Sequence, residues 1–183
     1  MAGHEGDEPT VRAALTDADA GVRATALGAL DRMGRLADDD VRSALAEPEP
    51  AVRRRACELA ALRPEVDLVP LLDDDPSVAE AGAWAIGEQG VPDDRRVDAL
   101  GRMAREHDDA LCREAAVAAL GALGTPRGLP AILAATKDKP AVRRRAVLAL
   151  APFEGPEVEA ALRAALDDRD WQVRQAAEDL LAE

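Results

Sequence analysis

The sequence predicts an all-α protein, folded as a right-handed α-solenoid of about six stacked two-helix repeats. The first observation is composition: 48% of the 183 residues are hydrophobic, yet only 2% are aromatic. The apolar residues are mostly Ala, Leu and Val, and Ala and Leu favour helices, with Ala small enough to let them pack closely. The second observation is a short apolar motif that recurs six times, which is typical of repeat architectures. The third is a set of helix-start signals that accompanies each copy.

The motif marks the second helix of each repeat, called the B helix. The residues that open the six copies lie 26 to 34 positions apart: Val22, Val52, Val78, Cys112, Val142 and Val173. An Ala usually follows four positions later, and a Leu eight positions later. Residues with this spacing share one face of an α-helix. The motif therefore predicts six helices, each with one buried stripe.

Helix-start signals stand three positions before each opening residue: Asp19, Glu49, Asp75, Asp109, Lys139 and Asp170. Aspartate is a good N-cap because its side chain accepts hydrogen bonds from free backbone N–H groups. Proline follows directly at three sites, in the favoured first helical position. Lys139 breaks the rule, so its helix is either capped by Asp138 or uncapped. Four glycines after B helices predict left-handed stops: Gly34, Gly90, Gly124 and Gly155.

Shorter apolar segments between the B helices predict the first helices of the repeats, called A helices. Four begin near Val11, Val41, Val97 and Val158. The other two, from Val66 and Gly128, contain Pro70 and Pro130, which should kink or start a helix. The expected repeats are 10–34, 35–63, 64–90, 91–124, 125–154 and 155–183, after a flexible acidic tail at 1–9. Such units bury their apolar faces only against their neighbours, so they form one domain.

Three segments resemble known repeats: DPSV…AIGEQG from Asp75, CREAAVAALGALG from Cys112 and PAVRRRAVLAL from Pro140. They are similar to the HEAT-like repeats first associated with phycobilisome lyases, and the resemblance runs from about Thr10 to Leu181. The family implies the solenoid fold but not one function, because it includes scaffolds, regulators, bilin lyases, an iron-dependent hydroxylase and DNA glycosylases.

An arginine follows the opening residue in five of the six repeats: Arg23, Arg53, Arg113, Arg143 and Arg174. The third repeat has Ala79 instead. The family resemblance implies an Asp–Arg ladder between neighbouring repeats, near the helix caps. A structural role is the main interpretation of this row, and an anion site is the alternative.

The B helices of such a solenoid line its concave groove, and off-stripe positions should point into it. Trp84 takes such a position in the middle of the stack, beside Gly82, which replaces the usual core Ala. Exposed aromatic and Arg side chains dominate binding energy at protein interfaces. We therefore expect a groove for a peptide or helix, anchored by Trp84, with arginine pairs that contact carboxylates. The alternative is that Trp84 fills a local gap between repeats. The candidate residues are Trp84, Glu80, Glu88, Arg54, Arg55, Arg144 and Arg145.

The turns from A to B helices are acidic and should fall on one edge of the solenoid. This edge is either a docking strip for a basic partner or, as we favour, a row of caps and solvating charge.

The net charge of −13 argues against a nucleic-acid partner, because phosphates require a basic surface. No stretch approaches the length of a membrane span, and the polar start, Met1 to Glu8, does not resemble a signal peptide. We expect a cytoplasmic monomer.

Catalytic constellations are absent from the sequence. The two histidines, His4 and His107, lie apart from each other and from the two cysteines, Cys57 and Cys112, which are expected to be buried thiols. The sequence therefore predicts a non-enzymatic scaffold or adaptor that binds another protein or peptide, without a cofactor or metal. A bilin-lyase-like or chaperone-like protein acting on a cofactor-bearing partner is the first alternative. A DNA-repair binder is the second, and the acidic charge disfavours it.

Overall fold

The computed structural model describes residues 7–182, which contain α-helices, short 3-10 helices and no strand. The helices are α1 (Glu8–Ala13), α2 (Ala20–Arg32), α3 (Asp38–Leu45), α4 (Pro50–Ala60), α5 (Pro76–Gln89), α6 (Asp94–Glu106), α7 (Ala110–Leu123), α8 (Leu129–Ala135), α9 (Pro140–Ala149), α10 (Pro156–Ala165) and α11 (Trp171–Leu181). The 3-10 helices are Ala14–Thr16, Val69–Asp73 and Pro126–Gly128.

The B helices are α2, α4, α5, α7, α9 and α11, and each packs against the next one in this series. The predicted stripe lies in the core. Five of the six opening residues have no more than 1% of their surface exposed: Val52, Val78, Cys112, Val142 and Val173. Val22, which opens the first of these B helices, is 41% exposed. The stacked layers confirm the predicted all-α solenoid.

Small residues allow neighbouring B helices to approach closely. A Cβ added to Gly121 in α7 would lie 2.7 Å from the Cβ of Ala149 in α9. A Cβ added to Gly87 in α5 would lie 3.1 Å from the Cα of Ala119 in α7. Both distances are shorter than ordinary van der Waals contact, so a side chain at Gly121 would force the helices to shift and one at Gly87 would be tightly packed. The high alanine and low aromatic content thus follows from the spacing between helices.

The helix signals are largely as predicted. Asp19, Asp75, Asp109 and Asp170 each accept a hydrogen bond from a backbone N–H group in the first turn of their B helix. Glu49 and Lys139 make no such bond. Gly34, Gly90 and Gly124 have φ near +60°, as expected for left-handed stops. Gly155 has φ +123° and instead precedes α10.

The third repeat differs from the prediction. The segment from Val66 forms a five-residue 3-10 helix, Val69–Asp73, rather than an A helix. Pro70 cannot donate a backbone hydrogen bond, and the Asp73–Asp75 run follows directly, so too few residues remain for an α-helix. Pro130, in contrast, lies at the start of α8.

The N-terminal segment also differs from the prediction. Helix α1 begins at Glu8, inside the segment predicted as a tail, and residues 1–6 lie outside the described part of the chain.

Gln89 supports the irregular third repeat from the end of α5. Its Nε2 lies 3.1, 2.9 and 3.1 Å from the backbone carbonyl oxygens of Ala60, Arg63 and Val66, and its two hydrogens are shared among these three acceptors. These carbonyls belong to the end of α4 and the connection that follows it. The Gln89 side chain therefore provides hydrogen bonds to backbone carbonyls in a segment that has no A helix to provide them.

Candidate functional site

A cavity of about 390 Å³ opens between α5 and α7. All of its lining residues belong to B helices: Glu80, Trp84, Gly87, Glu88, Leu111, Glu114, Ala115, Ala118, Ala119, Ala122 and Arg145. We call this cavity the α5–α7 groove. It includes four of the seven residues predicted from the sequence, namely Trp84, Glu80, Glu88 and Arg145.

The apolar part of the groove consists of two exposed side chains above a floor of alanines. Trp84 has 47% of its surface exposed, and Leu111 has 57%. Trp84 projects from the middle of α5, whose start is fixed by the Asp75 cap and whose end is fixed by Gly90. Leu111 was not among the predicted residues, because it precedes the motif that defined the groove positions. Two large exposed apolar side chains beside one cavity are typical of a binding surface.

The acidic part of the groove follows the same helix face. Glu80, Trp84 and Glu88 are spaced four residues apart, so they form a line along α5 about 12 Å long. Glu80 and Glu88 are exposed and make no ion pair with any described residue. Glu114, on the facing side of the groove, lies 3.4 Å from the Nε of Arg145. Carboxylates therefore outnumber guanidinium groups around the apolar centre.

The predicted arginine pairs are largely engaged within the protein. Arg54 and Arg55 contact the same carboxylate, that of Glu58, at 3.4 and 2.8 Å. The Arg55 guanidinium also lies over Gly28, where an added Cβ would be 2.5 Å from Nη2. Arg144 makes no ion pair among residues 7–182, and its Nε is buried without a hydrogen-bond partner. Arg54, Arg55 and Arg144 lie on the helices next to the groove but do not line it.

The arginine row forms a ladder that links neighbouring repeats. Arg53, Arg113 and Arg143 each donate two hydrogen bonds to one carboxylate of the next repeat, at 2.6–2.8 Å. The acceptors are Asp74, Asp138 and Asp168. Arg23 makes a single contact with Glu47, at 3.1 Å. The same arginines donate to backbone carbonyls of their own A-to-B turn. The acceptors precede the cap positions by one or two residues.

The ladder has electrostatic consequences for its carboxylates. Hydrogen bonding to Arg53, Arg113 and Arg143 lowers the pKa values of Asp74, Asp138 and Asp168, respectively. Because carboxylates and carbonyls already surround these guanidinium groups, the row favours a structural role over an anion site. The third repeat interrupts the ladder, since Ala79 is fully buried and carries no charge.

His107 and the two cysteines are either hydrogen-bonded to the backbone or buried. His107 accepts a hydrogen bond at Nδ1 from the backbone N–H of Asp109, at 3.0 Å. Burial raises the pKa of the Cys57 thiol to about 12 and that of the Cys112 thiol to about 11. Within residues 7–182, no group of His, Cys, Asp or Glu is arranged to hold a metal ion. No helix in the described part of the chain is long and apolar enough to cross a membrane.

The stacked two-helix units define the class of the molecule as an α-solenoid repeat protein. Residues 39–121 and 65–141 match the family model for HEAT repeats, and residues 142–168 match the PBS lyase HEAT-like repeat. The chain belongs to the HEAT repeat family. The resemblance seen in the sequence is thereby confirmed. The comparison with curated proteins found no match to the sequence.

Solved structures with the same fold include designed proteins. One is a designed armadillo repeat protein in complex with the peptide (KR)4, which is 17% identical with a TM-score of 0.68 over 97% of this chain and 99% of that one. Another is an engineered protein, 17% identical with a TM-score of 0.67 over 97% of this chain and 96% of that one. At this identity, the comparison establishes the solenoid fold alone.

Proposed function

We propose that this protein is a non-enzymatic scaffold or adaptor that binds a peptide or helix of another protein in the α5–α7 groove. The observation that supports this most directly is the half-exposed Trp84, which lines the same cavity as exposed Leu111 in the middle of the stack. Large, rigid aromatic side chains next to a concave apolar surface are common anchors of protein interfaces. The shared fold supports the proposal in general terms, since a designed relative holds a peptide.

The surroundings of the ionisable side chains support a role without catalysis. Asp19, Asp75, Asp109 and Asp170 cap helices, and the ladder carboxylates bind arginines. The two thiols are buried and have raised pKa values, so neither resembles an activated nucleophile. The groove itself combines apolar surface with carboxylates, which suits recognition of a protein segment.

The proposal is tested by comparing Trp84→Ala with Trp171→Ala in quantitative pull-downs from the native host. Trp171 is a matched control, because it is 64% exposed at the start of α11 and lies outside the groove. We expect Trp84→Ala to reduce recovery of the bound protein at least fivefold, while Trp171→Ala leaves it unchanged. Circular dichroism should show helical spectra for both variants.

A photo-crosslinking residue locates the contact independently. It is placed at Ala118 on the groove floor or at Ala160 on the exposed side of α10. Crosslinks from position 118 but not from position 160 are expected. Recovery that does not depend on Trp84, together with crosslinks from position 160, would show that the partner binds the A-helix side instead.

A further inference from the structure

We infer that the occupant of the α5–α7 groove is a basic peptide segment in which Lys or Arg residues flank an apolar side chain. This inference rests on the proposed function and specifies the chemistry of the partner. The groove combines an apolar centre with unpaired carboxylates on its walls. Each of these features selects one part of such a segment.

The charge of the groove selects a cationic partner. Glu80 and Glu88 stand at the two ends of the α5 line with no ion pair among the described residues, and Glu114 faces them from α7. The one arginine in the lining, Arg145, already lies beside Glu114. An acidic peptide would bring like charges together and remove water from them, which is unfavourable in a partly enclosed site. A Lys or Arg side chain would instead find free carboxylate acceptors.

The apolar centre of the groove favours an apolar side chain between the basic residues of the bound peptide. Trp84 and Leu111 expose apolar surface over the floor formed by Ala115, Ala118 and Ala122. An aliphatic side chain placed there removes this surface from water. The face of the Trp84 indole also attracts a guanidinium or ammonium group that passes over it. The aromatic ring therefore supports the same class of partner as the carboxylates.

The spacing of the acidic side chains fixes the spacing of the basic ones. Glu80 and Glu88 are separated by about 12 Å along α5. Glu80 and Glu114 occupy the same register position on neighbouring helices, whose axes are roughly 8–10 Å apart in packed helix pairs. An extended peptide rises about 3.3 Å per residue. Basic residues three or four positions apart, with an apolar residue between them, therefore match the groove.

The experiment uses the full chain and three pools of fluorescein-labelled nine-residue peptides, with binding measured by fluorescence anisotropy. The basic pool places Lys or Arg three or four residues apart around Leu, the acidic pool replaces the basic residues by Asp or Glu, and the neutral pool replaces them by Ser. We expect the basic pool to bind best, and more weakly as salt is raised. The double variant Glu80→Gln/Glu88→Gln should lower its affinity by about three- to tenfold.

The matched control is the double variant Glu157→Gln/Glu178→Gln, which removes the same charge from exposed sites outside the groove. It should leave the affinity of the basic pool within about twofold of the wild type, because it changes only the distant field. An equal loss in the two double variants would overturn the inference, since net charge rather than the groove would then be responsible.

The remaining outcomes separate this inference from the proposed function. If the acidic or neutral pool binds at least as well as the basic pool and Trp84→Ala abolishes that binding, the groove binds peptides but the basic partner is wrong. If no pool binds and sedimentation shows a dimer with Trp84 protected from acrylamide quenching, the occupant is a second copy of this chain and the inference is overturned. If no pool binds to a monomer, both the inference and peptide binding in this groove are overturned.

Discussion

Replacement of Arg143 by methionine tests whether the ladder holds neighbouring repeats together. The Nε and Nη2 of Arg143 each donate to Asp168 at 2.8 Å, and its Nη1 donates to the carbonyl of Asp138 at 2.8 Å. Its side chain is only 8% exposed. Methionine keeps an unbranched apolar side chain at this buried position, but it removes all three hydrogen bonds. The variant therefore measures the charged part of the contact.

The expected loss of unfolding free energy depends on how Asp168 is stabilised once Arg143 is removed. Removing one member of a buried ion pair costs about 3–5 kcal/mol, because the other charge remains without its partner. Asp168 keeps a hydrogen bond from the backbone N–H of Asp170, at 2.8 Å, and its side chain is 15% exposed. These features compensate for part of the loss. We expect Arg143→Met to lower the free energy of unfolding by about 3 kcal/mol, at the lower end of that range.

Urea denaturation followed by circular dichroism at pH 7 measures the change. Arg163→Met is the control, because Arg163 pairs with Glu159 on an exposed face, where the two side chains are 72% and 60% accessible. That control should cost less than about 1 kcal/mol. The combination of Arg143→Met with Asp168→Asn should be less destabilising than the sum of the two single changes. Equal losses for Arg143→Met and Arg163→Met would refute a structural role for the ladder.

Two further predictions concern helix spacing and acid stability. Gly121→Ala places a Cβ 2.7 Å from that of Ala149, so it should destabilise the protein by about 1–3 kcal/mol in thermal unfolding. Gly101→Ala, whose Cβ would meet mainly the flexible end of Arg105, is the control and should be neutral or stabilising; equal stability of the two variants would contradict the close-packing explanation. The lowered pKa of Asp168 means that the ladder stabilises the fold above the unfolded pKa of about 4, and that this contribution disappears as the pH falls through the lower, folded pKa. The stability difference between wild type and Asp168→Asn should therefore be constant above about pH 5 and shrink in more acidic solution. A difference that stays at its full size down to about pH 2 would argue against the Arg143 contact.

The repeat fold could be predicted because its determinants are local and periodic. The buried positions of Val52, Ala56 and their equivalents in the later repeats follow from spacing alone, and the aspartate caps follow from backbone chemistry. The third A segment could not be placed in the same way. Its 3-10 geometry depends on Pro70, on the aspartates after it and on the distant amide of Gln89, which a repeat pattern does not contain.

The groove was only partly predictable. The exposed position of Trp84 follows from its register on α5, and Glu80 and Glu88 share that face. Which carboxylate each arginine pairs with depends on the side-chain conformations at the contacts within and between helices. Arg55 reaches Glu58 and covers Gly28, while Arg145 reaches Glu114 across the α7–α9 contact. A single sequence gives the register of such residues, but not which of several nearby carboxylates each one selects.

The interruption at Ala79 makes the centre of the solenoid respond differently to solution conditions from its two ends. The junction beneath the groove, between α5 and α7, contains the close approach of Gly87 to Ala119, whereas the junctions on either side contain partly buried arginine–carboxylate contacts. Neutral contacts of this kind are insensitive to protonation. Acid should therefore loosen the outer repeats first, while the two helices that frame Trp84 remain together.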